Sequence, residues 1–162
     1  VVRGCQLLED DPLFNAGTGS VLQSDGQIRM SAALMDGVAQ RFSGTINVSR
    51  VQHPIELALY LQSSPDRVLS DYGAAELLRE LQLPSYDPIT ERRLNEWLQE
   101  RQENFTKTMA AVVAEVGVGD DADTAVVDTS ARRGTIGVVV LDSQGQLAVG
   151  TSTGGKGFER IG

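Results

Sequence analysis

The chain changes character abruptly at Gly134. From Gly117 to Arg133 it runs through Gly-Asp-Asp-Ala-Asp-Thr and Asp-Thr-Ser-Ala-Arg-Arg with no hydrophobic period, which reads as a flexible linker. Directly afterwards Thr135 to Leu141 is a strongly apolar, β-branched strand, Asp142 to Gly145 is a hairpin turn, and Gln146 to Thr153 is the returning strand. A threonine that heads a strand immediately after a glycine and a linker severely restricts what such a chain can be. It divides the sequence into residues 1–116, a linker over 117–134 ending at the Gly134-Thr135 junction, and a second part over 135–162.

Upstream, the period alternates between helix and strand. Val1, Val2, Cys5 and Leu8 follow helical spacing from the first residue with no capping residue before them, and Asp10-Asp11-Pro12 stops that helix ahead of a glycine-rich loop, Phe14-Asn15-Ala16-Gly17-Thr18-Gly19. Val21-Leu22, Ile28 to Met35 and Phe42 to Val48 read as an antiparallel meander. Pro54 opens a helix with Ile55, Leu57, Ala58 and Leu61 on its apolar face; a short Val68-Leu69 strand and a Tyr72 to Leu81 helix follow. After a break over Leu83 to Pro88, the longest helix is expected from Thr90 to about Val113, burying Leu94, Trp97, Leu98, Phe105 and Met109 and turning its Glu and Arg residues outward.

Composition narrows the function. With 162 residues, 41% apolar and 5% aromatic, the chain suits one globular domain. A net charge of −8, with Lys107 and Lys156 the only lysines, leaves no basic stripe for a phosphate backbone and argues against nucleic acid as a partner. No apolar run approaches the roughly 20 residues that cross a bilayer, and no signal-peptide pattern opens the chain, so a cytoplasmic protein is expected. Cys5 is the single cysteine, which excludes an intrachain disulfide and a cysteine zinc cage; lying among Val1, Val2, Leu7 and Leu8 far from the sole histidine, His53, it reads as core.

The Gly134-Thr135 junction suits a nucleophile that first cuts its own backbone. Without a side chain, Gly134 can adopt the backbone needed for the Thr135 hydroxyl to reach its carbonyl carbon, giving an N-to-O acyl shift and then ester hydrolysis. The α-amine freed on Thr135, with an ordinary pKa of about 7.7 to 8.0, can take the proton of the neighbouring hydroxyl near neutral pH. Nucleophile and base then belong to one residue, and no catalytic histidine or cofactor is needed.

Five segments in order, Phe14-Asn15-Ala16-Gly17-Thr18-Gly19, Met35-Asp36-Gly37, the polar linker, Gly134-Thr135-Ile136-Gly137 and Thr151-Ser152-Thr153-Gly154-Gly155, closely resemble the plant-type asparaginase and isoaspartyl-peptidase family. The resemblance implies an αββα sandwich of the N-terminal-nucleophile type, two stacked sheets between helical layers, incomplete here at both ends. It implies Thr135 as nucleophile, Thr153 as its hydrogen-bonding neighbour and Asn15 behind the junction. It further implies a structural sodium ion held by the backbone carbonyls of Leu8, Glu9, Asp11, Phe14, Ala16 and Thr18. The three adjacent carboxylates of Glu9, Asp10 and Asp11 cannot all point at one ion, so a solvated loop is the better reading of them than a divalent site. Small-molecule substrates, L-asparagine and β-aspartyl dipeptides, and a dimer of two-subunit units are implied in the same way.

The family's substrate-binding arginine and aspartate, and its oxyanion threonine and glycine, are expected beyond residue 162. Arg160 matches the position before the binding arginine and takes no role. The His-Gly-Gly strand that begins the family is also absent, so the chain reads as an internal fragment that holds the junction but is expected to be inactive by itself. A glycosylasparaginase-type relative and a catalytically incomplete binding module remain as alternatives.

Overall fold

A computed structural model describes residues 1–103 and 134–158. In chain order the elements are α1 (Val2–Asp10), β1 (Met30–Asp36), β2 (Arg41–Val48), α2 (Pro54–Leu61), β3 (Val68–Ser70), α3 (Asp71–Glu80), α4 (Glu91–Gln102), β4 (Ile136–Leu141) and β5 (Leu147–Thr153). The architecture is mixed α/β. The strands form a five-stranded sheet in the order β3-β2-β1-β5-β4, antiparallel throughout except for the β2 and β3 pair, which α2 connects in parallel. Of the expected sandwich, the described residues supply one sheet with helices against one face.

Pro54 sits at the start of α2, where its missing N–H costs nothing, and Pro54, Ile55, Leu57, Ala58 and Leu61 are all buried. Burial on both sides follows from the position of this helix between two apolar clusters. Ile55 and Ala58 join Cys5, Ala32, Leu34 and Ile136 under α1, whereas Leu57 and Leu61 join Leu22, Met30, Val48, Leu77 and Trp97. Each such Leu or Ile contributes about 1.5 to 3 kcal/mol of burial. Cys5 is fully buried, and burial first, with the Glu9 carboxylate second, pushes its thiol up to about 11, in keeping with a packing role.

The opposite sheet face keeps Phe42, Val139, Leu141, Leu147 and Val149 exposed. Strand alternation places Ser43, Ala32, Ser152 and Ile136 toward the helices and their neighbours toward the open side.

Two sequence expectations change. Val21-Leu22 is not a strand: β1 is paired on both edges, by β2 and β5, so no ladder is left for it. The segment instead enters a tight turn in which Gly26 N–H bonds the Gln23 carbonyl at 2.8 Å, and Leu22 is buried within the core. In α4 the buried positions are Arg93 and Trp97: Trp97 is buried as expected, while Leu94 and Leu98 are 39% and 43% exposed and Arg93 takes an inward place not expected of it. Arg93 is drawn inward because its Nε donates to the Gly19 carbonyl at 2.7 Å and its Nη1 to Glu96 at 2.8 Å, while Trp97 Nε1 bonds the Gln23 carbonyl at 2.8 Å. The expected continuation of this helix through Phe105 and Met109 to Val113, the 117–133 linker and Arg160 lie outside the described residues.

Glu9 is fully buried where α1, α2 and the sheet meet. Its Oε1 accepts from the Ile55 amide at 3.2 Å, and its Oε2 lies 3.3 Å from His53 Nδ1. Burial dominates and lifts the carboxyl from its ordinary 4.5 to about 8, against the opposing influence of the nearby Ser152 hydroxyl and the Ile55 amide.

Two measurements check these packing assignments. Chemical denaturation of Arg93→Met should lose about 1.5 to 3 kcal/mol, because a buried charged hydrogen bond disappears and the Gly19 carbonyl is orphaned, while Leu98→Ala stays within about 0.5 kcal/mol. For Glu9, the folded pKa is raised, so the folded state binds the proton more tightly than the unfolded chain. That stabilisation is full below pH 4.5 and fades as pH rises through about 8. Stability of the native protein relative to Glu9→Gln should therefore fall across that window, and a flat difference would contradict the assignment.

Candidate active site

Hairpin geometry brings the two threonines together. Ile136 pairs with Ser152, so Thr135 and Thr153 face one another at the open end of the β4-β5 ribbon. The opposite end is closed by Asp142, whose Oδ1 accepts the amides of Gln144 and Gln146, each at 2.8 Å. At the open end the Thr135 hydroxyl donates to Thr153 Oγ1 at 2.8 Å. Thr135 is exposed and Thr153 half-buried, so the pair meets solvent on one side and framework on the other.

The framework reaches Asn15. Gly155 N–H donates to Thr153 Oγ1 at 3.2 Å, and the Gly155 carbonyl accepts from Asn15 Nδ2 at 2.6 Å. Asn15 also receives the Gly154 amide on its backbone carbonyl at 2.9 Å and the Val21 amide on Oδ1 at 3.0 Å. A continuous chain of hydrogen bonds thus runs from Asn15 through Gly155 and Thr153 to Thr135. Gly154 is the tightest point, since a Cβ there would lie 2.5 Å from Asn15 Oδ1 and 2.5 Å from Ser20 Cβ. Next to this junction, a cavity of about 310 Å³ on the open sheet face is lined by Ser31, Ala33, Thr151 and Thr153.

Gly134 is exposed, and a Cβ on it would meet nothing within 4 Å. Contacts in this fold therefore do not explain a glycine at that position. The structure brings together Thr135, Thr153 and Asn15, which sequence reasoning singled out, through Gly154 and Gly155, whose linking places it missed although the Thr-Gly-Gly run was the available signal. Sequence reasoning also missed Thr151, whose hydroxyl ties the Ile136 carbonyl at 2.8 Å and fixes the backbone just after Thr135.

The glycine-rich loop folds back onto the end of α1. Thr18 N–H donates to the Glu9 carbonyl at 2.8 Å and Phe14 N–H to the Asp11 carbonyl at 3.1 Å. Pro12 has no N–H to return to the Leu8 carbonyl, and the Phe14, Ala16 and Thr18 carbonyls accept no backbone hydrogen bond among the described residues. Of the six carbonyls implied for sodium, those of Glu9 and Asp11 are thus already taken by amides, while those of Phe14, Ala16 and Thr18 are not. The neighbouring carboxylates diverge: Glu9 turns into the core, Asp10 bonds Gln52 Nε2 at 2.9 Å, and Asp11 caps the Leu13 amide at 2.9 Å.

Comparison with known proteins gives the family. Residues 1–162 match the family described as asparaginase. The chain is 71% identical to an isoaspartyl peptidase/L-asparaginase of a Nostoc species, over 100% of this chain and 49% of that protein. It is 61% identical to one of a Synechocystis species, over 100% of this chain and 46% of that protein. A plant-type L-asparaginase of Pyrococcus horikoshii is 35% identical over 100% of this chain and 52% of its own length. The chain spans about half the length of the curated relatives it matches, and along all of its own length it belongs to the asparaginase family.

Proposed function

We propose that the protein is an amidohydrolase that cleaves itself between Gly134 and Thr135 and then hydrolyses L-asparagine and β-aspartyl dipeptides through an ester on Thr135. The observation that carries this reading is the 2.8 Å hydrogen bond from the Thr135 hydroxyl to Thr153 Oγ1 at the mouth of a fixed framework. Family membership supports the reaction class, and relatives named isoaspartyl peptidase/L-asparaginase support the substrates.

In this mechanism Thr135 Oγ attacks the Gly134 carbonyl carbon, the peptide nitrogen leaves as the α-amine of Thr135, and water hydrolyses the resulting ester. Gly134 answers to this step, because an unbranched residue gives the hydroxyl access to the carbonyl. During turnover the freed amine accepts the hydroxyl proton as Oγ attacks the substrate's side-chain carbonyl, and later returns it to the leaving amine. Thr153, already receiving the Gly155 N–H at 3.2 Å, holds the nucleophile's oxygen at a set place. Asn15 holds Gly155, and so acts on the nucleophile through Thr153 as a positioning residue. Sodium on the carbonyls of Leu8, Glu9, Asp11, Phe14, Ala16 and Thr18 would brace the loop that carries Asn15.

Intact-mass measurement of the whole protein should show two pieces divided at Gly134-Thr135. Thr135→Ala should remain one folded, inactive chain; cleavage persisting in that variant would point to an external protease and defeat the proposal. Thr153→Ala should keep its fold while kcat drops on the order of 100-fold, the scale of a misplaced reacting group. The sodium assignment predicts a melting temperature that rises saturably with sodium chloride against choline chloride at equal ionic strength.

A further inference from the structure

At the β3 edge of the sheet a separate cavity of about 430 Å³ is faced by three arginines, Arg29, Arg50 and Arg79. Val48, Leu78 and Leu83 give it an apolar floor. In a chain of net charge −8 the lining gathers three guanidiniums, of which Arg29 is paired with Asp25, against a single lining carboxylate, Asp71. Their circumstances differ. Arg29 is held by Asp25 at 3.0 Å and by Gln23 at 2.6 Å, and Arg79 lies 6.0 Å from the centroid of the Tyr72 ring. The Arg50 guanidinium has no hydrogen bond or ion pair among the described residues.

The backbone is also unusual here. Asn47, Arg50 and Asp71 all line the cavity and all take left-handed φ values, of 56°, 59° and 41°. Non-glycine residues seldom occupy that region, and such positions gather where a fold presents side chains to a ligand. The Arg50 carbonyl is fixed by the Tyr86 amide at 3.0 Å, so the turn that carries its guanidinium is anchored.

This site is distinct from the Thr135 centre. Val48 pairs with Met30 on β1, and Ser31 pairs with Thr153 on the other side of that strand. The cavity and the threonine pair therefore share one end of the sheet, but Val48 stands about two strand spacings, roughly 10 Å, from Thr153 and a further strand from Thr135, with β1 between. We propose that the cavity binds a small organic anion, whose carboxylate or phosphate engages Arg50 and Arg79 while its apolar body rests on Val48, Leu78 and Leu83. Guanidinium forks suit either anion, and an apolar floor selects against a bare inorganic one.

Calorimetric titration of the whole protein with phenyl phosphate and with benzoate tests this and separates the two anion types. One saturable site per chain is expected for at least one probe, tighter than for inorganic phosphate or for neutral benzyl alcohol. Arg50→Gln and Arg79→Gln, both at exposed positions, should each weaken it about tenfold or more with unchanged melting and unchanged asparaginase activity. The proposal is overturned by absence of saturable binding or by affinity unaltered in both variants. Equal binding of benzyl alcohol or inorganic phosphate, or displacement of the probe by L-asparagine, would overturn it as well.

Discussion

The pairing of β1 with β5 is the constraint on which the candidate site depends. Asn15 and Thr153 are far apart in sequence, and neither has a local reason to meet the other. β1 brings them together by offering its second edge to β5, with Ser31 opposite Thr153 and Ala32 opposite Ser152. Once that ladder forms, the Gly154 amide reaches the Asn15 carbonyl and the Gly155 carbonyl reaches its side chain. A one-residue slip would turn Thr153 toward the helices and Ser152 toward the open face, exchanging a framework hydroxyl for a buried one. The site is thus a product of register more than of any single side chain.

What fixes the register is close packing beneath it. Gly150, one turn of the pleat from Ser152, has no room for a Cβ, which would meet Cys5 Sγ and Val1 at 2.8 Å. Gly154 is similarly confined between Asn15 and Ser20. Behind the strand, Glu9 joins α1 to the first turn of α2 and presents its carboxyl toward Ser152. Gly150 on β5 and Gly154 just after it therefore let α1 and the glycine-rich loop approach the strand closely.

Much of this was legible in the chain. Short-period patterns located β2, the β4-β5 hairpin and α2, because each carries strong local chemistry: alternating β-branched residues, an Asp-Ser-Gln-Gly turn, a proline at a helix start. The motif segments identified Thr135, Thr153 and Asn15, which the fold places on one hydrogen-bonded chain. Val21-Leu22 failed as a strand because its β-like composition says nothing about whether a partner edge is free. Arg93 and Leu98 exchanged roles because hydrophobic period cannot see a carbonyl, that of Gly19, waiting in the core for a charged donor. Nor does a linear pattern reveal the Arg29, Arg50 and Arg79 cavity, whose members come from a strand entry, a turn and a helix.

The direction in which Thr135 faces bears on how a substrate would reach it. Residues alternate along β4, so Ile136 is buried toward α1 while Val139 and Leu141, odd-numbered like Thr135, are 68% and 64% exposed on the other side. On β5, Leu147, Val149, Thr151 and Thr153 share that open side. The proposed nucleophile consequently sits at the end of an apolar stripe on the sheet face away from the helices. In a sandwich of two sheets this stripe is the surface that the second sheet covers, and covering it would leave the threonines at the rim between layers. A hydroxyl at that rim is held by strands on its own sheet and can be faced by binding groups from the other.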